Sequence, residues 1–245
     1  MSGSSHTKSK HVSQEPLANA DARWTRLLKT TYTDPLGKER TWESAERQAS
    51  VSQFLNGQIE LIGCISWALC LLPDIVSIPA IPQADVTRPA NCEIDGVGIV
   101  TILNKPSGPE LLLQKQYRPP IDQVVIEVPA GLIDAGETPE QCAVRELKEE
   151  TGYVGEAELT SPVMFNDPGF CNTNLKMVHV RVDMTLAENQ NPKPELEENE
   201  FIECFSLPLA TLYDELKKLE RQGFAIDARV GTLAEGMELQ KKWKL

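Results

Sequence analysis

The sequence predicts a single domain with a mixed α/β fold arranged in layers. Short apolar stretches with strand periodicity recur along the chain, and two segments between them have the apolar spacing of amphipathic helices. Strands that flank helices in this way favour a sheet covered by helices, and no internal repeat is visible. The predicted strands are 94–103, 111–116, 124–128, 159–164, 175–182 and 201–206, and the predicted helices are 139–151 and 209–222.

The composition is that of an ordinary globular protein, with 41% hydrophobic and 24% charged residues in a chain of 245. The net charge of −12 argues against nonspecific nucleic-acid binding, which needs a basic surface. A small anionic substrate remains compatible with it, because bound metal ions reverse the local charge. Residues 1–20 lack the apolar core of a secretory signal and are expected to be a disordered tail. The six cysteines show no CxxC or zinc spacing, so we expect reduced thiols in the cytoplasm, with the nucleus and mitochondria left open.

Residues 21–48 have the pattern of a β-hairpin closed by an Asp-Pro-Leu-Gly turn. Trp24 and Trp42 lie one on each arm. Two tryptophans in a short polar hairpin are typical of core or interface anchors. The alternative is a stacking clamp for a nucleobase, with Glu43 and Arg47 as nearby polar contacts.

Residues 49–86 do not match their surroundings. Their apolar part, 61–82, carries one charge and three prolines, and its longest unbroken run is too short for a membrane span of about 20 residues. We therefore predict no membrane association. The segment is 38 residues long, so removing its codons would keep the reading frame. Joining Gln48 to Thr87 would lead the hairpin directly into the predicted strand 94–103. Our hypothesis is a retained intron, and the rival is a genuine surface insertion. Deleting 49–86 should keep or improve solubility and turnover, and loss of fold or activity would contradict the hypothesis.

Residues 131–153, GLIDAGETPEQCAVRELKEETGY, contain the strongest local signals in the chain. The segment opens with the glycines of a loop. Thr138 fits a helix N-cap, Pro139 fits the first helical position and Gln141 completes a capping box. Gly152 fits the left-handed end of the same helix. The sequence therefore predicts a glycine-broken loop that leads directly into a capped helix.

Glu146, Glu149 and Glu150 stand at i, i+3 and i+4, which places them on one face of one helical turn. Such acids repel one another by about 0.2–0.5 kcal/mol for each close pair on an exposed helix, and Arg145 offsets only part of that. The ordinary interpretation is a solvated acidic face. The alternative is that the loop ending in Glu137 packs against the carboxylates, which would then bind a hard cation such as Mg²⁺ or Mn²⁺.

The segment resembles the Nudix box at every fixed position, and the single departure is Tyr153, where the pattern has an aliphatic residue. The matching residues are Gly131, Glu137, Arg145, Glu146, Glu149, Glu150 and Gly152. The chain from Trp24 to Gln48 and from about Thr87 to Arg229 is similar to the ADP-sugar pyrophosphatase branch of the Nudix hydrolases. The stretches that carry this likeness include QKQYRPP, EVPAGLIDAGETP and NEFIE, together with Pro168, sixteen residues beyond the last box glycine.

This resemblance implies an α/β/α sandwich whose N-terminal sheet is exchanged between the subunits of a homodimer. It also implies Mg²⁺-dependent hydrolysis of ADP-ribose to AMP and ribose 5-phosphate, with Mn²⁺ as a second possible metal. The implied organisation is a tail at 1–20, a hairpin at 21–48 for dimerisation and base binding, the segment 49–86, and a hydrolase domain at 87–245.

The resemblance also implies roles for particular residues. Glu146, Glu149, Glu150 and the Ala130 carbonyl would hold the metal, and Glu137 and Arg145 would tie the loop to the helix. Glu200 would act as the base. The implied substrate contacts are Arg118 for the diphosphate and Arg47 for the substrate as well. Trp24, Trp42 and Glu43 would contact adenine, and Asp167 would lie near the terminal ribose.

Two alternatives remain open at this point. The same chemistry could act on another nucleoside diphosphosugar or on an oxidised nucleotide. A protein of this fold could also bind ligands or partners without turnover, although the complete set of acidic box residues argues against that. Activity measured over a panel of ADP-sugars with Mg²⁺ separates these possibilities.

Overall fold

The computed structural model describes residues 12–14, 16–22, 25–33, 36–47, 94–197 and 200–244. The predictions for Trp24 and for 49–86 lie outside these residues. The strands are β1 Thr25–Thr33, β2 Glu39–Arg47, β3 Gly96–Val100, β4 Ile102–Lys105, β5 Gly108–Arg118, β6 Gln123–Glu127, β7 Ala130–Leu132, β8 Gly155–Thr160, β9 Met164–Phe165, β10 Asn174–Val182, β11 Ile202–Pro208 and β12 Ala225–Ile226. The helices are α1 Pro139–Thr151, α2 Ala187–Gln190, α3 Leu212–Arg221 and α4 Ala228–Trp243, with 3-10 turns at Pro119–Ile121 and Leu209–Thr211.

The strands form a separate hairpin and two mixed sheets. The hairpin pairs β1 with β2 in an antiparallel register, which confirms the prediction for this part of the chain. One sheet has the order β7-β3-β10-β8, with β9 at the end of β10, and its β3–β10 pair is parallel. The other has the order β11-β5-β6-β12, with β4 on β5, and its β6–β12 pair is parallel.

Two apolar cores lie on opposite sides of these sheets, so the fold is a layered α/β/α arrangement. One core packs α1 through Ala143 and Leu147, and the other packs α3 and α4 through Leu216 and Val230. Alternate residues of β5 pack into the two different cores, because successive side chains of a strand point to opposite faces of the sheet. Leu112 faces the α1 side, while its neighbours on β5 face the other core.

The predicted strand 159–164 is wrong in its bounds, because the structure places a strand at Gly155–Thr160 and a short one at Met164–Phe165. The cause is tertiary pairing, since β8 runs antiparallel to β10 from Gly155↔Val182 to Thr160↔Val178. Pro162 falls in the break between the two strands, where its missing N–H does not interrupt a ladder.

The helix α4 was not predicted. Asp227 caps it by accepting a hydrogen bond from the Arg229 N–H. Its fully buried residues are few, and it contains two glycines, so it lacks the apolar stripe and the propensity that identify helices in a sequence. Among the described residues, no helix is long and apolar enough to cross a membrane.

Candidate active site

The predicted loop and helix fold as expected, and their local contacts position the acidic residues. The Gln141 N–H donates to Thr138 Oγ1 over 3.3 Å, and the Thr138 N–H donates to Gln141 Oε1 over 2.9 Å. These reciprocal bonds form the predicted capping box. Gly152 ends the helix with a φ of 76°, the left-handed conformation that glycine adopts without a steric cost.

Arg145 ties the loop to the helix. Its Nε donates to Glu137 Oε1 over 2.8 Å and its Nη2 donates to Glu137 Oε2 over 2.9 Å. Glu137 also accepts the Asp134 N–H, and Arg145 donates to the Leu132 carbonyl. Two parallel charge-assisted bonds fix the planar guanidinium, and this contact with Glu137 raises the pKa of Arg145. These hydrogen bonds therefore fix the position of the loop relative to α1.

The loop leaves room for two carboxyl groups beneath it. A side-chain carbon at Gly131 would overlap the Glu146 carboxyl group, so any other residue here would displace that group from its position under the loop. The Glu150 carboxyl group accepts the Ala130 N–H over 3.0 Å at Oε2 and lies 3.5 Å from Gln114 Nε2 at Oε1. Glu150 is only 4% exposed. Two of the three predicted acids are thus packed against the loop rather than free in solvent.

Burial makes these acids difficult to ionise. It raises the pKa of Glu150 to about 8 and that of Glu146 to about 7. The negative charge of Glu200, on the late acidic loop, raises both pKa values further. Arg145 partly lowers the pKa of Glu146. These buried carboxyl groups repel one another when they are ionised. A hard divalent cation bound by their oxygens would compensate the negative charge.

Arg145 also lies between two of the acids. Its Nη1 donates to Glu146 Oε1 over 2.9 Å and to Glu149 Oε2 over 3.1 Å. In the described part of the chain, no three acidic, histidine or cysteine side chains converge as a ready cation cage. Arg145 Nη1 thus occupies one oxygen of Glu146 and one of Glu149, and a cation would have to share these acids with the guanidinium.

Arg118 is held by a buried acid. Its Nε and Nη2 donate to the two carboxyl oxygens of Glu127 over 3.0 and 2.7 Å. Glu127 is buried on β6 and pairs with Gln114 on β5. The sequence reasoning missed both Glu127 and Gln114. Both residues open stretches that carry the family likeness, QKQYRPP and EVPAGLIDAGETP, but neither stretch reveals what their side chains contact.

The hairpin docks on the loop that follows β9. Trp42 Nε1 donates to the Gly169 carbonyl over 2.9 Å, and the Ala45 N–H donates to the Phe170 carbonyl over 2.8 Å. Asp167 closes this loop through its backbone carbonyl, which accepts the N–H groups of Phe170 and Cys171. Trp42 keeps 52% of its surface exposed.

The predicted residues therefore fall into four groups. Around α1 lie Glu146, Glu149, Glu150, Arg145 and Ala130, with Glu200 nearby. Trp42 and Asp167 belong to the contact between the hairpin and the loop, and Arg118 is held on Glu127. Glu43 and Arg47 lie on β2 opposite Lys29 and Thr25, with Glu43 exposed and Arg47 half-buried.

Comparisons with known proteins identify the family and the fold. A family model described as the NUDIX domain matches residues 94–227. The chain is 43% identical over 240 residues to a Saccharomyces cerevisiae protein named ADP-ribose pyrophosphatase, which covers 97% of this chain and 85% of the yeast protein. It is 32% identical over 223 residues to a Mus musculus ADP-sugar pyrophosphatase, with 90% and 84% of the two chains covered. A crystal structure of an ADP compounds hydrolase shares the fold, with a TM-score of 0.52 at 18% identity over 94% of this chain and 92% of that one.

Proposed function

The chain belongs to the Nudix hydrolase family, and we propose on that premise that it hydrolyses the diphosphate bond of ADP-ribose and related ADP-sugars. Water would add to one phosphorus and the bridging P–O bond would break, so that ADP-ribose gives AMP and ribose 5-phosphate. The names of the yeast and mouse relatives support the substrate class. The observation that carries the proposal is the loop pinned by Glu137 and Arg145 over the buried carboxyl groups of Glu146 and Glu150.

The residues fit a divalent cation, for which we propose Mg²⁺, with Mn²⁺ as a substitute. Glu146, Glu149, Glu150 and the Ala130 carbonyl would hold it, since oxygen donors are the ligands that both ions prefer. When bound, such a cation neutralises phosphate charge and lowers the pKa of a water molecule. The raised pKa values of Glu146 and Glu150 mean that burial opposes their ionised form in the free protein, and a bound cation would favour that form.

The remaining residues would bind and orient the substrate. Arg118 is fixed as a planar donor by Glu127, which is the form of guanidinium that recognises phosphate oxygens well. Glu200 would accept the proton of the attacking water, because its charge already acts on the acids of the cluster. The exposed indole of Trp42 would stack on adenine.

The function is tested by incubating the purified protein with ADP-ribose, ADP-glucose and an oxidised nucleotide, with Mg²⁺ or with EDTA. We expect AMP and ribose 5-phosphate from ADP-ribose, and no product in EDTA. Cleavage of the oxidised nucleotide alone would refute the proposed substrate. Binding of ADP-ribose without product under any metal would show a non-catalytic protein.

Replacing Glu200 by glutamine should lower kcat and leave the KM for ADP-ribose nearly unchanged. The reason is that a base acts in the transition state, while glutamine keeps the size and polarity of the side chain. Steady-state kinetics measure both constants, and Glu197→Gln on the same loop is the matched control. A rise in KM at constant kcat would contradict the role of Glu200 as the base.

Replacing Trp42 by alanine should raise the KM for ADP-ribose roughly tenfold, because stacking of a base on an aromatic ring contributes about 1–3 kcal/mol. Trp42→Phe keeps a stacking ring but loses the bond to the Gly169 carbonyl, so it separates the two contributions. If Trp42 is only an anchor for the hairpin, both variants should lose thermal stability and keep the wild-type KM.

We also propose a homodimer. Several large apolar side chains at β9 and on the loop that contacts the hairpin are exposed, among them Val163, Met164, Phe165 and Phe170. Clustered exposed apolar side chains are typical of an interaction site, and three of these residues are consecutive in the chain. Light scattering coupled to size exclusion should give twice the chain mass, and Phe165→Ser should shift the protein towards the monomer. A monomeric wild-type protein at high concentration would refute the proposal.

A further inference from the structure

Gln114 is a fully buried polar residue next to the carboxyl cluster, and neither the family motif nor the proposed function gives it a role. It follows Leu112 by two positions on β5, so its side chain faces the α1 side of the sheet. Its Nε2 lies 3.5 Å from Glu150 Oε1, while its Oε1 is buried without a hydrogen-bond partner. In the part of the chain that the structure describes, Thr101 Oγ1 is the other buried side-chain atom in that condition.

A buried amide oxygen without a partner is unfavourable for folding, by about 1–3 kcal/mol. An apolar side chain would remove that penalty, and the residues before Gln114 on β5 are leucines that pack well. A residue that lowers stability at a site of chemistry is expected to serve that chemistry. The NH2 group of the Gln114 amide faces Glu150, and its carbonyl oxygen has no hydrogen-bond partner. The contact of this amide with the cluster is therefore with Glu150.

Gln114 is uncharged, and this determines how it can hold the Glu150 carboxyl group. Arg145 approaches Glu146 and Glu149 with a positive charge, which competes with a cation for their oxygens. The amide of Gln114 can hold a carboxylate by donating an N–H and still leave its full negative charge available. The Ala130 N–H does the same at the other oxygen of Glu150.

We propose that Gln114 is a positioning residue that, with the Ala130 N–H, fixes the carboxyl group of Glu150 for the divalent cation. This inference rests on the proposed function. Groups that orient a metal ligand typically contribute 10–100-fold to metal affinity. Gln114 therefore acts through Glu150 and does not touch the substrate.

The test is Gln114→Met, which keeps the length of the side chain and removes both polar atoms. We expect an unchanged or higher melting temperature in EDTA, roughly tenfold weaker Mn²⁺ binding without substrate, and a lower kcat at unchanged KM for ADP-ribose. Mn²⁺ binding is measured by electron paramagnetic resonance of the free ion. Gln114→Leu is a second variant with the side chain already common on β5, and it should behave in the same way.

Thr101→Val is the matched control, because it removes the other unpartnered buried oxygen and leaves the carboxyl contacts untouched. It should keep or raise the melting temperature and leave Mn²⁺ affinity unchanged. If both Gln114 variants lose stability or fail to fold, or if they bind Mn²⁺ like the wild type, Gln114 is a packing residue and the proposal is overturned.

The same measurements separate this proposal from the proposed function. A wild-type protein that binds Mn²⁺ but cleaves no ADP-sugar would refute the function, while weaker Mn²⁺ binding by Gln114→Met would still support the positioning role. A wild-type protein that cleaves ADP-ribose, with unchanged Mn²⁺ affinity in the variants, would refute the positioning role alone.

Discussion

Replacing Glu150 by glutamine is expected to abolish Mg²⁺-dependent cleavage of ADP-ribose and to leave the protein folded. Glu150 is the most buried of the three acids on its turn, and its carboxyl group is held at both oxygens, by Ala130 and Gln114. A cation contributes several kcal/mol of charge stabilisation, and each ~1.4 kcal/mol is a factor of ten in rate. The loss in kcat should therefore exceed about a hundredfold.

Folding should survive this change, because the glutamine removes a charge that burial already disfavours. Circular dichroism and the melting temperature in EDTA report the fold, and Glu140→Gln is the control. Glu140 lies on the first turn of the same helix and contacts Thr160 rather than the cluster, so its variant should keep the wild-type kcat. A Glu150→Gln protein with a tenth or more of the wild-type kcat would show that Glu150 is not a metal ligand.

The features predicted correctly depend on neighbours in the sequence. The helix at 139–151 follows from Thr138, Gln141 and Gly152, whose effects act within one turn. The hairpin likewise follows from a turn between two alternating strands. The shared face of the three glutamates follows from helical geometry alone, so the cluster could be proposed without a structure.

The features that were missed depend on residues far apart in the chain. Gln114 and Glu127 become part of the site only because β5 pairs with β6 and packs under α1. The docking of Trp42 on Gly169 joins residues 127 positions apart. The bounds of β8 are set by pairing with β10, and α4 is held by a few buried contacts that leave no stripe in the sequence.

Without a metal ion, the protein should lose stability as the pH rises from about 4.5 to about 8. The pKa of Glu146 is raised to about 7 and that of Glu150 to about 8, both chiefly by burial. Between the unfolded value of 4.5 and these values, the folded state binds more protons than the unfolded state. Stability then falls with pH, by about 1.4 kcal/mol per pH unit for each extra proton bound. It is fully present below pH 4.5 and lost as the pH passes 7 and 8.

Groups with lowered pKa values have the opposite sign, but they act outside this window. Glu110 and Glu137 are stabilised in their charged form by Lys105 and Arg145, so their contribution is lost only as the pH falls below 4.5.

A bound cation should reverse the trend, because it needs ionised carboxylates and binds only the folded protein. The difference between the melting temperatures in Mg²⁺ and in EDTA should thus grow from pH 5.5 to pH 8. In Glu146→Gln/Glu150→Gln, the EDTA curve should flatten over this range and the effect of Mg²⁺ should vanish. A wild-type melting temperature in EDTA that rises steadily from pH 5 to pH 8 would contradict this prediction. It would mean that both acids are already ionised in the folded protein and that their pKa values are not raised.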